Sequence, residues 1–129
     1  MEAVGEGTPG SLFDRVGGEA WFGALVDRFY DRVEADPLLR PLYPADLVGP
    51  RRHLAMFLVQ RFGGPGTYSE TRGHPRLRIR HLPFAIGIRE RDAWLANMTE
   101  ALASGGLGGR DMASMLQYFE QAAAMLVNR

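Results

Sequence analysis

The middle of the chain contains a stretch that reads GGPGTYSETRGHPRLRIRHLPFAI from residue 63 to residue 86. From Gly66 onward it has only weak periodicity, and Pro75 and Pro83 interrupt it. We predict that a short helix fits only between these two prolines. Irregular segments longer than about 12 to 15 residues are uncommon in compact domains unless they have a function. This stretch is therefore the first candidate for a functional site.

Helical patterns flank this stretch on both sides. Apolar residues recur three and four positions apart, which predicts helices over residues 12–16, 19–35, 47–62, 89–104 and 111–126. Ser11 and Asp111 are the expected N-caps of the first and last helices, and a brief helical turn is expected over residues 37–43. No segment has a convincing strand pattern, so the sequence predicts an all-α protein. Four substantial helices would pack only a modest core for this length, which indicates that another group fills the centre.

The composition is that of one globular domain. The chain has 129 residues, of which 46% are hydrophobic and 23% charged. It lacks the apolar run of ~20 residues that spans a membrane and the basic and apolar start of a secretory signal. We therefore expect a cytoplasmic protein with no membrane span. Residues 1–10 contain three glycines and Pro9 and are predicted to form a flexible arm, and residues 11–129 the folded domain.

The basic residues are all arginine. The sequence has no lysine and no cysteine, which excludes Schiff-base lysines, disulfides and thiolate metal sites. Residues 51–80 contain seven arginines against Glu70 alone, so this part of the chain should face an anion. A helical nucleic-acid-binding module is only a remote alternative. The stretch has no interleaved aromatics or recognisable nucleic-acid-binding motif, and the net charge of the chain is zero.

Three histidines are candidates for metal chemistry. His53 lies on the predicted helix over residues 47–62, whereas His74 and His81 flank the segment between the two prolines. None of them forms a His-x-x-x-His or His-x-x-Glu pair, so a zinc site is poorly supported. Each histidine taken alone is more simply explained as a surface residue or a hydrogen-bonded core residue.

Three polar aromatic residues are predicted to point inward. Tyr30 and Trp94 lie on the apolar faces of their helices, and Tyr43 follows the short helical turn. Buried Tyr and Trp side chains normally find acceptors for their O–H and N–H groups. Taken singly, these groups would reach backbone carbonyls at helix ends. Taken together, they favour a buried cavity in which a ligand brings the acceptor.

The stretch from residue 63 to residue 86 closely resembles the hallmark of the group II truncated haemoglobins. The resemblance continues, in order and with the expected spacing, through residues 13–18 (FDRVGG), 27–30 (DRFY), 42–44 (LYP), 56–60 (MFLVQ) and 91–95 (RDAWL). It covers nearly the whole chain beyond the arm. It implies a shortened globin fold, a two-over-two helical sandwich that encloses one haem b (iron protoporphyrin IX). The haem would account for the modest core.

The resemblance also implies roles for individual residues. His81 would be the proximal ligand that binds the iron through Nε2, and Arg80 would pair with a haem propionate. Tyr68 and His53 are further candidates for the propionate edge. The residues expected to form the distal polar group are Tyr30, Tyr43 and Trp94. The apolar residues expected to line the haem are Leu54, Phe57, Phe62, Phe84, Ile86 and Met98.

The implied function is the binding of O2, CO, NO or other small ligands at a pentacoordinate iron. Several O–H and N–H donors would stabilise the negative charge on bound O2. This favours tight holding, or redox chemistry with nitric oxide or peroxide, over bulk oxygen transport. The alternative is an enzyme, a nitric oxide dioxygenase or a peroxidase. It would need an unidentified reductase, because the chain has no G-x-G-x-x-G dinucleotide motif. A homodimer remains open.

Overall fold

The computed structural model describes residues 10–129, so residues 1–9 of the predicted arm lie outside the described residues. The helices are α1 (Leu12–Val16), α2 (Gly18–Ala35), a 3-10 helix (Arg40–Leu42), α3 (Val48–Arg61), α4 (Thr67–Arg72), α5 (Leu77–His81), α6 (Ile88–Ala103) and α7 (Gly109–Leu126). Residues 10–129 contain no strand, which confirms the predicted all-α class. Over the same residues, no helix combines the length and hydropathy that a membrane crossing requires.

The chain divides into two compact units. The first contains the described residues up to Asp27 together with residues 46–75, and the second contains residues 28–45 and 76–129. Helix α2 therefore contributes its first half to one unit and its second half to the other. Each unit is described separately below.

The first unit is built around a short aromatic stack. The ring of Phe22 lies 6.1 Å from that of Phe13 and 6.0 Å from that of Phe62, measured between centroids. Phe22 is fully buried. A backbone hydrogen bond of 3.0 Å from the N–H of Phe13 to the carbonyl of Phe62 fixes α1 beside the end of α3. Ser11 caps α1 as predicted, since its Oγ accepts a hydrogen bond from the N–H of Asp14 at 3.2 Å.

The end of α3 needs glycine for two different reasons. Gly63 has a φ of 100°, which lies in the left-handed region that favours glycine. Gly64 donates its N–H to the carbonyl of Val59 at 2.8 Å and lies in close contact with two side chains. A Cβ at residue 64 would lie 2.6 Å from a ring atom of Phe13 and 2.6 Å from a methyl group of Val59.

We expect Gly64→Ala to lower the free energy of unfolding by about 1–3 kcal/mol, because a ring and a buried Val side chain must move to make room for the methyl group. Gly49→Ala, on α3 itself, is the control. A Cβ at residue 49 would have no neighbour within 4 Å. The free energy of unfolding of Gly49→Ala should therefore stay equal or rise slightly. Denaturant unfolding of both variants measures the difference. Equal stability of the two variants would contradict the predicted clash.

The second unit is built on α7. Helices α5 and α6 both pack against α7. The buried apolar residues of this unit are Phe29, Tyr30, Val33, Leu39, Met98, Ala101, Leu102, Met115, Phe119 and Ala123. They recur three and four positions apart on α2, α6 and α7, which is the amphipathic pattern that predicted these helices.

Two details of the helix prediction are wrong. A second short helix, α4, precedes Pro75, although we expected a helix only between the two prolines. The side chain of Gln60 stabilises α4 by two hydrogen bonds to Ser69. Its amide group donates to Oγ of Ser69 at 2.8 Å, and its amide oxygen accepts from the N–H of Ser69 at 2.9 Å. The bond from the N–H of Ser69 satisfies one of the N–H groups that a helix start leaves unpaired.

The second error concerns Asp111. It is not the cap of α7, because that helix already begins at Gly109.

Candidate functional site

His81 is the last residue of α5, and its imidazole is held by a hydrogen bond within that helix. Its Nδ1 lies 2.6 Å from the carbonyl oxygen of Leu77. A carbonyl only accepts hydrogen bonds, so Nδ1 carries the proton and donates it. The lone pair of the neutral ring then lies on Nε2, which is the arrangement found in metal-binding histidines.

The apolar surroundings of His81 fit a haem. Ile79, Leu82 and Phe84 lie within three residues of it and are 63%, 58% and 42% exposed. The ring of Phe84 lies 6.5 Å from the imidazole. Within the described residues, no group of three or more His, Cys, Asp or Glu side chains could hold a metal ion. An iron bound by His81 would therefore need most of its ligands from a cofactor, and a porphyrin supplies four nitrogens on a flat apolar ring. Arg80, the predicted propionate partner, precedes His81 and is half-buried.

The three predicted distal donors come together in the second unit. The rings of Tyr30 and Tyr43 are nearly perpendicular, with centroids 5.5 Å apart. The side chain of Tyr43 is hydrogen-bonded with those of Trp94 and Tyr30. Burial raises the pKa of Tyr43 above its ordinary value, and the two hydrogen bonds oppose that rise. Tyr43 is therefore a neutral phenol at neutral pH, with a proton to donate.

The direction of one of these hydrogen bonds follows from chemistry. An indole N–H donates and cannot accept, so the oxygen of Tyr43 accepts from Trp94. The indole is held in place by aromatic packing, since its ring centroid lies 5.0 Å from that of Phe29 and 5.6 Å from that of Phe119. Packing on α2 and α7 thus orients the N–H of Trp94 before any ligand arrives.

A polar network that the sequence did not reveal supports the segment before Tyr43. One carboxylate oxygen of Asp36 accepts from the N–H groups of Leu38 at 2.9 Å and Leu39 at 3.3 Å. The other accepts from the side-chain amide of Asn97 at 2.8 Å. The amide oxygen of Asn97 accepts from Nε of Arg32 at 3.1 Å. Asn97 is buried, so its hydrogen bonds are shielded from competing water.

This network connects two of the distal elements. Asn97 lies one turn beyond Trp94 on α6, and Asp36 begins the segment that leads through the 3-10 helix to Tyr43. The only signal for it in the sequence is Asp36-Pro37 after α2, which is typical of a side-chain-capped turn. The partner Asn97 could not be identified, because it lies 61 residues further along the chain.

We expect Asp36→Asn to lower the free energy of unfolding by about 1 kcal/mol at pH 7, because an amide group would face the amide of Asn97 and the charge would be lost. The hydrogen bond from Asn97 lowers the pKa of Asp36, with further contributions from the N–H groups of Leu38 and Leu39. The stabilisation is therefore present above the ordinary pKa of the carboxyl group and is lost as the pH falls through the lowered value.

Unfolding measured as a function of pH tests this prediction. The difference between Asp36→Asn and the unsubstituted protein should disappear in acid. Glu120→Gln, on the exposed side of α7, is the control and should leave the acid limb of the curve unchanged. A difference that persists undiminished at low pH would show that the charge of Asp36 is not the cause.

Tyr68 and His53, the other predicted propionate partners, lie together in the first unit. Nε2 of His53 is 3.0 Å from Nη1 of Arg72, and because a guanidinium only donates, Nε2 accepts this hydrogen bond. The guanidinium of Arg72 also lies 5.8 Å from the centre of the Tyr68 ring, and the ring of Phe57 lies 5.5 Å from that of Tyr68. The sequence prediction missed Arg72, although it lies four residues after Tyr68 and so on the same face of α4.

The predicted apolar lining residues fall into three groups by exposure. Met98 is fully buried and Phe84 is exposed, whereas the half-buried members are Leu54, Phe57, Phe62 and Ile86. Phe84, Ile86 and Met98 belong to the second unit and the others to the first. Their contact with a haem remains a prediction.

An all-helical chain that presents one imidazole among exposed apolar side chains has the features of a globin. Comparison with known proteins agrees, since residues 11–128 match the bacterial-like globin family. The chain is 44% identical over 112 residues to the group 2 truncated haemoglobin YjbI of Bacillus subtilis. The match covers 87% of this chain and 85% of that relative. The chain therefore belongs to the group II truncated haemoglobins.

Solved structures confirm the predicted two-over-two globin fold. A haemoglobin from the thermophilic phototrophic bacterium Chloroflexus aurantiacus matches with a TM-score of 0.90 and 55% identity, covering 92% of this chain and 98% of that one. A truncated haemoglobin from Bacillus subtilis, described as oxygen-avid, matches with a TM-score of 0.87 and 42% identity, covering 92% and 99%. As a member of this family, the protein binds haem and small gaseous ligands such as O2.

Proposed function

We propose that the chain binds a b-type haem through His81 and uses it to hold O2 tightly, with CO and NO as further ligands. The observation that carries this proposal is the convergence of Tyr30, Tyr43 and Trp94, three O–H and N–H donors that share a unit with His81. Bound haem would supply an iron centre that takes a diatomic ligand reversibly. The protein residues would supply the axial imidazole and the hydrogen bonds to the ligand.

His81 is suited to hold the metal because its tautomer is fixed in advance. The hydrogen bond from Nδ1 to the carbonyl of Leu77 orients the ring and makes Nε2 more basic. Arg80 would hold a propionate by a charge-assisted hydrogen bond. Tyr68 and His53 stay candidate propionate partners, and Arg72, beside them in the first unit, is a third candidate. The apolar residues Leu54, Phe57, Phe62, Phe84, Ile86 and Met98 would exclude water from the ring faces.

The distal donors would act on the charge that the ligand acquires. O2 bound to a ferrous haem would carry partial negative charge, and buried donors oriented in advance would stabilise that charge. A hydrogen bond to a charged group is worth about 1.5–3 kcal/mol. Two such bonds would slow the release of O2 by roughly 100- to 10,000-fold, which is a holding or sensing behaviour and not a delivery behaviour. The description of the relative from Bacillus subtilis as oxygen-avid supports this proposal.

Titration of the haem-free protein with hemin tests the cofactor, and stopped-flow release of O2 from the ferrous protein tests the holding. We expect a 1:1 complex with a Soret band and O2 release that is slow beside that of a globin with an apolar distal side. Release as fast as from such a globin would contradict tight holding, while the absence of a Soret band would contradict the haem site itself.

The same three donors also favour an enzyme as the alternative. It would catalyse nitric oxide dioxygenation or peroxide reduction, with an external reductase. The rate at which nitric oxide consumes the O2 complex, or at which peroxide reacts with the ferric protein, tests this alternative when it is compared with the rate for an inert globin.

A homodimer also remains a proposal, and sedimentation of the haem complex would test it. A cytoplasmic location stays a prediction from the sequence.

A further inference from the structure

The residues that follow α7 pair with the loop that follows His81. After α7 ends at Leu126, Val127 takes an extended conformation (φ −62°, ψ 126°). Asn128 then donates its N–H to the carbonyl of Ile86 at 2.8 Å. In return, the N–H of Ile86 donates to Oδ1 of Asn128 at 2.9 Å. The two residues thus hold each other through a reciprocal pair of hydrogen bonds.

The amide nitrogen of Asn128 reaches further along the same loop. It donates to the carbonyl of Phe84 at 2.9 Å and to the carbonyl of His81 at 3.4 Å. An Asn side chain offers one acceptor oxygen and two N–H donors, and here all of them are directed at residues 81–86. A single side chain therefore fixes three points of this segment.

The loop has few other attachments before Gly87, whose N–H donates to Oε1 of Glu90 at 2.8 Å. The side chains of Leu82, Pro83, Phe84 and Ala85 are exposed, so that apolar burial contributes little to its conformation. Local hydrogen bonds join the N–H of Leu82 to the carbonyl of Ile79 at 3.2 Å and that of Phe84 to the carbonyl of His81 at 3.0 Å. Segments with few buried contacts open easily.

Helix α5 depends on such attachments because it is short. It has five residues, and an isolated helix of fewer than about 12 residues is marginal in water. Its packing against α7 fixes one side of it. The imidazole of His81 is tied back to Leu77 inside this short helix, so the direction of Nε2 follows the orientation of the whole helix end.

We propose that Asn128 is a positioning residue for the proximal histidine. It holds the loop over residues 82–87 against the end of α7, and through the carbonyl of His81 it fixes the direction in which Nε2 points. The inference rests on the proposed role of His81 as the iron ligand.

Two substitutions of Asn128 and one control on α7 test the inference. Asn128→Ala removes the three side-chain hydrogen bonds. Asn128→Asp keeps the acceptor for the N–H of Ile86 but removes both donors and sets a carboxylate against the carbonyls of His81 and Phe84. Gln121→Ala alters an exposed residue of α7, the helix that precedes Asn128. Because Asn128 is itself exposed, all three variants should fold.

Hydrogen exchange of the haem-free protein provides the first measurement. We expect the amides of Leu82 and of residues 84–86 to exchange about tenfold faster in Asn128→Ala than in the unsubstituted protein, and at unchanged rates in Gln121→Ala. Unchanged exchange in Asn128→Ala would overturn the inference, because the loop would then be held without this side chain.

Resonance Raman spectra of the ferrous, ligand-free haem complex provide the second. We expect the iron–histidine stretching band to shift or broaden in both Asn128 variants and to stay fixed in Gln121→Ala. An unaltered band in both variants would overturn the inference even if exchange is faster, since Asn128 would then hold only the loop. Absence of that band from the unsubstituted protein would instead contradict His81 as the ligand, so the two failures are distinguishable.

Discussion

His81→Ala abolishes stable haem binding, which we expect to be the largest effect of any single substitution in this protein. The variant removes the one imidazole on α5. The exposed apolar side chains near residue 81 would remain, but no metal ligand would orient the porphyrin against them. Loss of a residue that merely supports a metal ligand costs about 10- to 100-fold in affinity, and loss of the ligand itself should cost more. Hemin titration followed at the Soret band, and hemin transfer to a competing apoprotein, measure the loss.

His74→Ala is the matched control for this experiment. His74 lies in the same arginine-rich stretch, seven residues earlier, and is exposed, so that its removal should leave haem affinity unchanged. Added imidazole should restore a Soret band to His81→Ala by occupying the place of the missing ring, and should do nothing for the control. An unchanged spectrum of His81→Ala without imidazole would show that another residue binds the iron.

Trp94→Phe accelerates the release of O2 by about 10- to 100-fold, which is the second large effect that we expect. In the O2 complex the N–H of Trp94 would donate to the ligand in place of Tyr43, so the substitution removes one hydrogen bond to a charged group, worth about 1.5–3 kcal/mol. Phenylalanine keeps an aromatic ring against Phe29 and Phe119, so the packing around residue 94 changes little. CO acquires less negative charge than O2, and its exchange should accelerate less, mainly through the loss of steric bulk. Stopped-flow and flash-photolysis rates measure both ligands.

The other tryptophan supplies the control, and a second measurement separates hydrogen bonding from packing. Trp21→Phe changes a residue of α2 whose ring contacts Phe22, at 5.0 Å, and should leave both rates unaltered.

Because the hydrogen bond from Trp94 lowers the pKa of Tyr43 against the effect of burial, the loss of that bond should raise the pKa of Tyr43 further. Ultraviolet titration of the phenol detects this change. Unaltered O2 release in Trp94→Phe would limit Trp94 to a packing role.

The residues proposed for the two sides of the iron lie in one unit of the chain. His81, Tyr30, Tyr43 and Trp94 all belong to residues 28–45 and 76–129. Within this unit, Asn97 ties the Tyr43 segment to α6, and Asn128 ties the His81 loop to the end of α7. Both are neutral side-chain amides that donate and accept at once, which lets one residue connect two segments of the chain.

The sequence by itself determined the helical class and most of the helix limits. Helix formation depends on residues within one or two turns, so the apolar spacing and the cap at Ser11 could be recognised locally. The hallmark stretch gave the family, and with it His81 and the three distal donors as candidates. The three donors lie together, and the roles of all four residues stay predictions.

Only the tertiary structure decided which polar groups support those residues. Helix α4 forms with the help of Gln60, nine residues before Ser69. Asp36 meets Asn97 across 61 positions, and Ile86 meets Asn128 across 42. No local pattern marks either asparagine, because a hydrogen-bond partner so far along the chain is chosen by the path of the backbone. Local propensity sets where a helix lies in the sequence, whereas the packed fold sets which side chains lie within 3 Å of each other.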